Sequence, residues 1–193
     1  GTRAWVVHRL DRDTSGIVVF ARTPDAHRAL SRAFETPDVA KQYVALAHGL
    51  PAPLTGTIAV ALHAARKGKA RLALPGEPGA REATTHYAVT RAWRDGERRI
   101  AVVSVTPQTS RPHQIRVHLR SLGTPLLGDA LYGRAAIAAL GGVPVPRLAL
   151  HAASIDLPHP SGDRRVSAAA PWPEDLADLA GWLDAHWAPV VPS

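Results

Sequence analysis

Residues 8–21 read HRLDRDTSGIVVFA, in which four charged side chains (Arg9, Asp11, Arg12 and Asp13) stand directly before five apolar residues. The apolar run 17–21 has the β-branched content of a buried strand. The polar run before it then forms a loop at the end of that strand, where active-site carboxylates often sit. Asp11, flanked by Arg9 and Arg12, is the candidate. A plainer reading also fits: a turn in which Asp13, Thr14 and Ser15 bond their own backbone and Gly16 relieves the bend. The residues alone leave both open.

Outward from this stretch, Thr23 and Pro24 offer an N-cap and a first helical residue, followed by Ala26, Ala29, Leu30, Ala33 and Phe34 at helical spacing, with Pro37 as the stop. In 41–47, strand alternation puts Lys41, Tyr43, Ala45 and Ala47 on one face and Gln42, Val44 and Leu46 on the other. PAPLTG (51–56) reads as a loop. Strands are expected at 57–62, 69–74, 84–93 and 99–106, with the turn PGEPGA before the third. Helical spacing returns after Pro112, with Ile115, Leu119 and Leu122 in one stripe, Pro112 acceptable as the first helical residue and Gly123 as the stop. A strand at 147–157 and a helix at about 174–187, burying Leu176, Leu179, Ala180 and Leu183, end the chain. Many strands and few helices predict a single α+β domain over 1–193, a largely antiparallel or mixed sheet with flanking helices.

The chain carries a formal net charge of +7, yet residues 171–193 hold four acids and no Lys or Arg, so the first 170 residues carry +11. An anionic partner follows, although charge alone does not separate RNA, DNA and an acidic membrane. Arg66, Lys67, Lys69 and Arg71 form one basic cluster and Arg111, Arg116 and Arg120 another; the bland reading of each is a solvated face. The absence of cysteine excludes disulfides and thiolate metal sites. With no apolar run near the roughly 20 residues of a membrane span and no secretory pattern at the start, the expectation is a soluble cytoplasmic protein, with a monomer favoured. Methionine is absent even at position 1, from which the start is expected not to be native.

HRLDRDTSG resembles the signature of the RluA-type RNA pseudouridine synthases: HRLD, a basic residue, a variable one, Thr, Ser or Thr, and Gly. Three further stretches fall in that family's order. KQYVA (41–45), ending at Gly49, resembles K-x-Y-x-A. PQTSRPHQIRVHL (107–119) resembles P-x-TGRTHQIRVHL. Leu127-Gly128-Asp129 through Tyr132-Gly133 resembles V-GD-x-x-YG. LHAASIDLPHP and APWPEDL near the end also fit, so the likeness spans nearly the whole chain.

The resemblance implies a pseudouridine-synthase-like catalytic domain that isomerises uridine in ribosomal or transfer RNA. Breaking the N-glycosidic bond and rejoining the uracil through C5 involves no oxidation and no second substrate, so it needs neither cofactor nor metal. One carboxylate serves, by attacking C1′ or by taking a proton from C2′. By resemblance it is Asp11, with Arg116 as the cation that favours its ionised form. Tyr43 is implied to stack on the target base, its hydroxyl able to assist proton removal from C5. Arg9 is implied to fill the gap left by the flipped nucleotide. His8, Arg12, Arg111 and His113 are candidates for phosphate or ribose contacts. Without the motifs, Arg116 reads as a surface helix arginine and Tyr43 as a core tyrosine.

Two departures stand out: Ser110 in place of the usual glycine, which makes a positive φ unfavourable, and Pro112 in place of threonine. Altered RNA contacts, rather than lost chemistry, are expected. Strands that usually precede HRLD, including a segment resembling NKPAG, and a small RNA-binding domain ahead of them are expected to be missing. The alternative function is a catalytically silent RNA-binding domain of the same fold, which would need neither Asp11 nor Tyr43. A glycoside hydrolase using Asp11 and Asp13 has the carboxyl pair and nothing else. His113 and His118, five residues apart, do not align as metal ligands on a helix.

Overall fold

The computed structural model describes residues 4–191, save the side chains of Lys67 and Ile137. Its spine is a hairpin of two long strands, β8 (Thr84–Asp95) and β9 (Arg98–Pro107), named in the chain order that follows. Their two-residue connection places Gly96 at φ 56°, the left-handed conformation such tight hairpin loops require. The earlier elements are β1 (Trp5–Val6), β2 (Ser15–Gly16), β3 (Phe20–Ala21), α1 (Pro24–Phe34), β4 (Ala40–His48), β5 (Thr55–Ala59), β6 (Leu62–Ala64) and β7 (Ala70–Leu72). After β9 come α2 (Gln114–Ser121), α3 (Arg134–Ala139), β10 (Leu150–Pro158), β11 (Arg165–Ala169), α4 (Glu174–His186) and β12 (Ala188–Val190).

Eight strands form the main sheet. Six run in the order β11-β10-β4-β9-β8-β12, with β5 also on β8 and β2 on β10. Every pairing is antiparallel except β2 with β10, so the sheet is mixed and the α+β expectation holds. The alternation expected of 41–47 sorts the core. Tyr43, Ala45 and Ala47 pack with Tyr87, Val103, Val105 and the α2 residues Ile115 and Leu119. Val44 and Leu46 pack on the opposite face with Trp93, Ile100 and the α4 residues Leu176, Leu179 and Leu183. One helix therefore covers each face. Both can do so because each presents an apolar stripe at helical spacing.

The run 17–21 does not form one strand. Ile17 N–H bonds Ala152 O in β10, whereas Phe20 and Ala21 pair with β1, so its backbone is divided between two sheets. The break falls at Val19, whose N–H donates to the His8 side chain rather than to a strand. Residues 57–62 are also divided, β5 joining β8 and β6 joining β7 in a separate hairpin. The loop expected at 51–56 gives way to β5 at Thr55. Thr23 caps α1 as expected, its hydroxyl accepting from Ala26 N–H at 3.2 Å. The short elements α3, β11 and β12 had no clear signal in the sequence.

Candidate active site

Residues 8–16 cross the end of the sheet as a tight turn closed by Thr14 N–H on Asp11 O at 3.1 Å. Asp13 adopts φ 67° and Gly16 φ 115°. A Cβ on Gly16 would lie 2.2 Å from Ala152 O, so only glycine lets this loop pass so close to β10. At the level of the backbone the stretch is a turn, and Asp11 stands at its start. The side chains behave differently from the turn reading. Ser15 bonds His151 and Arg147 instead of its own backbone, and the buried Thr14 hydroxyl has no hydrogen-bond partner among the described residues.

The segment 107–113 is held against β8 by Gln114. Its Oε1 accepts from Arg111 N–H and Thr109 Oγ1, and its Nε2 donates to Thr84 O and Thr85 Oγ1, all within 2.9–3.0 Å. The left-handed residue here is His113 (φ 54°), immediately before α2, and not Ser110. Pro112 precedes the helix by two residues and is not its first residue. Ser110 instead accepts a hydrogen bond from the Lys41 ammonium.

Arg116 lies in the first turn of α2 and is buried, not a surface arginine. Its Nε and one terminal nitrogen donate to the two oxygens of Asp129 at 2.8 Å each. The other terminal nitrogen stands 3.6 Å from Asp11 Oδ2, and the guanidinium lies over the Tyr132 ring at 5.1 Å. Asp129 also accepts from the N–H groups of Leu131 and Tyr132. Burial pushes its carboxyl upward, but the Arg116 hydrogen bonds and charge, with those two amides, outweigh burial and hold it below the usual carboxylate range. A buried arginine is thus held by one carboxylate while another lies within reach.

The Tyr132 hydroxyl donates to Ala70 O and accepts from Ala70 N–H, tying β7 to this cluster. With that hydrogen engaged, His113 Nδ1, 2.8 Å away, donates to the same oxygen. Burial lowers the His113 pKa; Asp11 opposes that effect and Arg116 reinforces it.

Asp11 opens onto a cavity of about 550 Å³ walled in part by His8, Arg9, Lys41, Tyr43, Arg111 and His113. Burial and the neighbouring Asp11 charge push the Tyr43 hydroxyl up to about 12. His8 stacks on Phe34 at 4.5 Å while its Nε2 accepts from Val19, and burial and Lys41 lower its pKa, so it enters the wall as a neutral ring. Arg111 is tethered through Nε to Glu82 O, and Arg9 is exposed, with no side-chain hydrogen bond to a described residue. Gly68, in the basic turn Arg66–Gly68 that joins β6 to β7, also lines the cavity.

Of the residues named from sequence, Asp11, Tyr43, Arg9, His8, Arg111 and His113 meet in one cavity, with Arg116 buried behind Asp11. Arg12 and Asp13 are exposed and do not line it. Asp129, Tyr132 and Arg147 were given no role from sequence. An acid directly after Leu127 and Gly128 was the available signal, because a carboxylate placed in an apolar segment needs a cation. Among the described residues no group of three or more His, Asp or Glu is arranged to hold a metal ion, and no helix is long and apolar enough to cross a membrane.

A family model described as RNA pseudouridylate synthase matches residues 1–121. The uncharacterized RNA pseudouridine synthase YhcT of Bacillus subtilis (strain 168) is 39% identical over 173 residues, covering 90% of this chain and 54% of its own length. Ribosomal large subunit pseudouridine synthase D of Xanthomonas campestris pv. campestris is 39% identical over 191 residues, covering 94% and 55%. The solved structure of human RNA Pseudouridylate Synthase Domain Containing 1 superposes with a TM-score of 0.76 at 28% identity, covering 98% of this chain and 75% of that one. This chain spans about half the length of the curated relatives it matches.

Proposed function

The chain belongs to the RNA pseudouridylate synthase family, and we propose that it isomerises uridine to pseudouridine in RNA with Asp11 as the catalytic carboxylate. The observation that carries this reading is the Asp11–Arg116 approach of 3.6 Å beside a cavity that Tyr43 and Arg9 share.

The reaction breaks the C1′–N1 bond and forms C1′–C5; the C5 hydrogen leaves as a proton and N1 gains one. Asp11 serves by attacking C1′ to give a glycosyl ester, or by removing the C2′ proton to give a glycal. Arg116 favours the ionised carboxylate and, being held by Asp129, keeps its position while Asp11 reacts. The arrangement is preorganised. Tyr43 offers a ring face for the base and a hydroxyl that stays protonated at neutral pH. The phenolate that would take the C5 proton must therefore be generated within the complex. Neither C1′ nor C5 is reachable in a stacked strand, so the nucleotide is flipped at a cost of a few kcal/mol, and the exposed Arg9 guanidinium fills the gap. Arg111 and His113 contact phosphate or ribose, and Arg12 does so from outside the cavity. His8, neutral and already bonded, acts as wall rather than as a cation.

We take residues 1–193 as one catalytic domain, acting in the cytoplasm as a monomer and without a cofactor. One relative's name refers to the ribosomal large subunit, so ribosomal RNA is the first substrate to test and transfer RNA the second. The test is tritium release from RNA labelled at uridine C5. Asp11→Asn and Asp11→Ala should abolish release and leave RNA binding in place. Turnover in either variant at the wild-type rate refutes the assignment, and binding with no turnover in the wild type would favour the silent RNA-binding reading.

A further inference from the structure

The loop that carries Asp11 is gripped from beneath by a residue outside the cavity. Arg147 uses all five of its N–H groups. Nε and one N–H of the second terminal nitrogen go to the two oxygens of Asp175, at 2.6 and 3.0 Å. The first terminal nitrogen donates to Asp13 O at 3.2 Å and to Leu148 O at 3.1 Å. The remaining N–H reaches Ser15 Oγ at 3.0 Å. Arginine has no further donor to give.

The grip continues into the sheet. Ser15 Oγ lies 2.9 Å from His151 Nδ1, and His151 Nε2 lies 3.3 Å from Ala170 O. A carbonyl only accepts, so Nε2 carries hydrogen, which leaves Nδ1 to accept from the Ser15 hydroxyl. The backbone of Arg147 is itself wedged: a Cβ on Gly128 would lie 2.0 Å from Arg147 O. Gly128 precedes Asp129, so the two arginine clamps meet at one turn. Asp129 holds Arg116 and, on the other side of the turn, Asp175 holds Arg147.

From this geometry we infer that Arg147, oriented by Asp175, is a positioning residue that sets where Asp11 stands relative to Arg116. The inference rests on the isomerase reading above. Asp13 is in a left-handed conformation, one that aspartate tolerates better than most non-glycine residues, and the Asp13 carbonyl is what Arg147 grasps, which fixes the turn in that form. Asp11 is two residues away in the same turn, closed by Thr14 on Asp11 O. Without Arg147 that turn relaxes, and the carboxylate moves from its cation while the cavity wall of Tyr43, Arg111 and His113 stays in place.

The test compares Arg147→Gln, Arg147→Lys and Asp175→Asn with the wild type in tritium-release kinetics, RNA binding and amide hydrogen exchange. A displacement of about 1 Å costs on the order of 100-fold in rate. Arg147→Gln should lower kcat by about that factor, with KM and RNA affinity within about 2-fold of wild type. Arg147→Lys should recover part of the loss, and Asp175→Asn should show a smaller loss of the same kind. Exchange at the Thr14 and Ile17 amides should rise while β8 and β9 exchange as before. Wild-type kcat in Arg147→Gln, or exchange raised across the whole sheet, would overturn the inference, the latter by showing a residue that only holds the fold. If the wild-type protein shows no turnover, the isomerase reading fails by itself. The exchange measurement still decides whether Arg147 orders the loop.

Discussion

Arg116 donates two 2.8 Å hydrogen bonds to Asp129 and still presents its third nitrogen to Asp11 at 3.6 Å. The buried carboxylate fixes the arginine, and the arginine faces the partly exposed carboxylate. This division of labour lets a residue that does not line the cavity set the charge beside it.

Replacing Asp129 tests the fixed end. Asp129→Asn leaves the buried guanidinium with only Asp11, 3.6 Å away, as counter-charge, a change that destabilises by up to about 3–5 kcal/mol, read from urea unfolding. The Asp129 carboxyl titrates below its ordinary value when folded, so its contribution is fully present above the unfolded pKa near 4 and is lost as pH falls through the folded value. The wild-type advantage over Asp129→Asn should therefore be flat from about pH 8 to 5 and shrink below about pH 4.

Arg116→Ala tests the other end. Turnover should fall by at least about 100-fold, whereas RNA affinity should change by only a few-fold. An affinity loss with kcat unchanged would move Arg116 to the phosphate contacts.

Tyr43 should ionise near 12 instead of near 10. Absorbance titration at 295 nm, as the difference between wild type and Tyr43→Phe, gives this value directly. Burial is the larger cause and the Asp11 charge the second, so Asp11→Asn should lower the midpoint without returning it to 10. A midpoint at the ordinary value would mean that Tyr43 is not enclosed beside a carboxylate.

Binding to RNA should weaken steeply with salt as phosphate counter-ions are displaced. Arg111→Ala should make the log–log slope shallower by about 0.7–0.9. A flat salt response in the wild type would count against RNA as the partner.

Much of this site was legible before folding. Asp11, Tyr43, Arg111 and His113 lie in three of the four ordered motifs, and the alternation of 41–47 already placed Tyr43 on the face that α2 covers. What was missed involves partners distant in sequence. Asp129 was given no role, because the arginine it holds, read as a surface residue without the motif, is 13 residues away. Ser15 looked like a turn residue satisfying its own backbone, but its partners are 132 and 136 residues away.

The order of residues by itself determined the types of the longer elements, the two faces of β4, the apolar stripes of α2 and α4 and the likeness to a family, because each follows from local periodicity or contiguous motif. Tertiary structure alone decided that the run 17–21 splits between two sheets, that His113 and not Ser110 takes the left-handed turn, and that Asp129 and Arg147 hold the two sides of the site. Hydrogen bonds across the fold form only when chain segments far apart are brought together, and a buried charge finds its counter-charge only then.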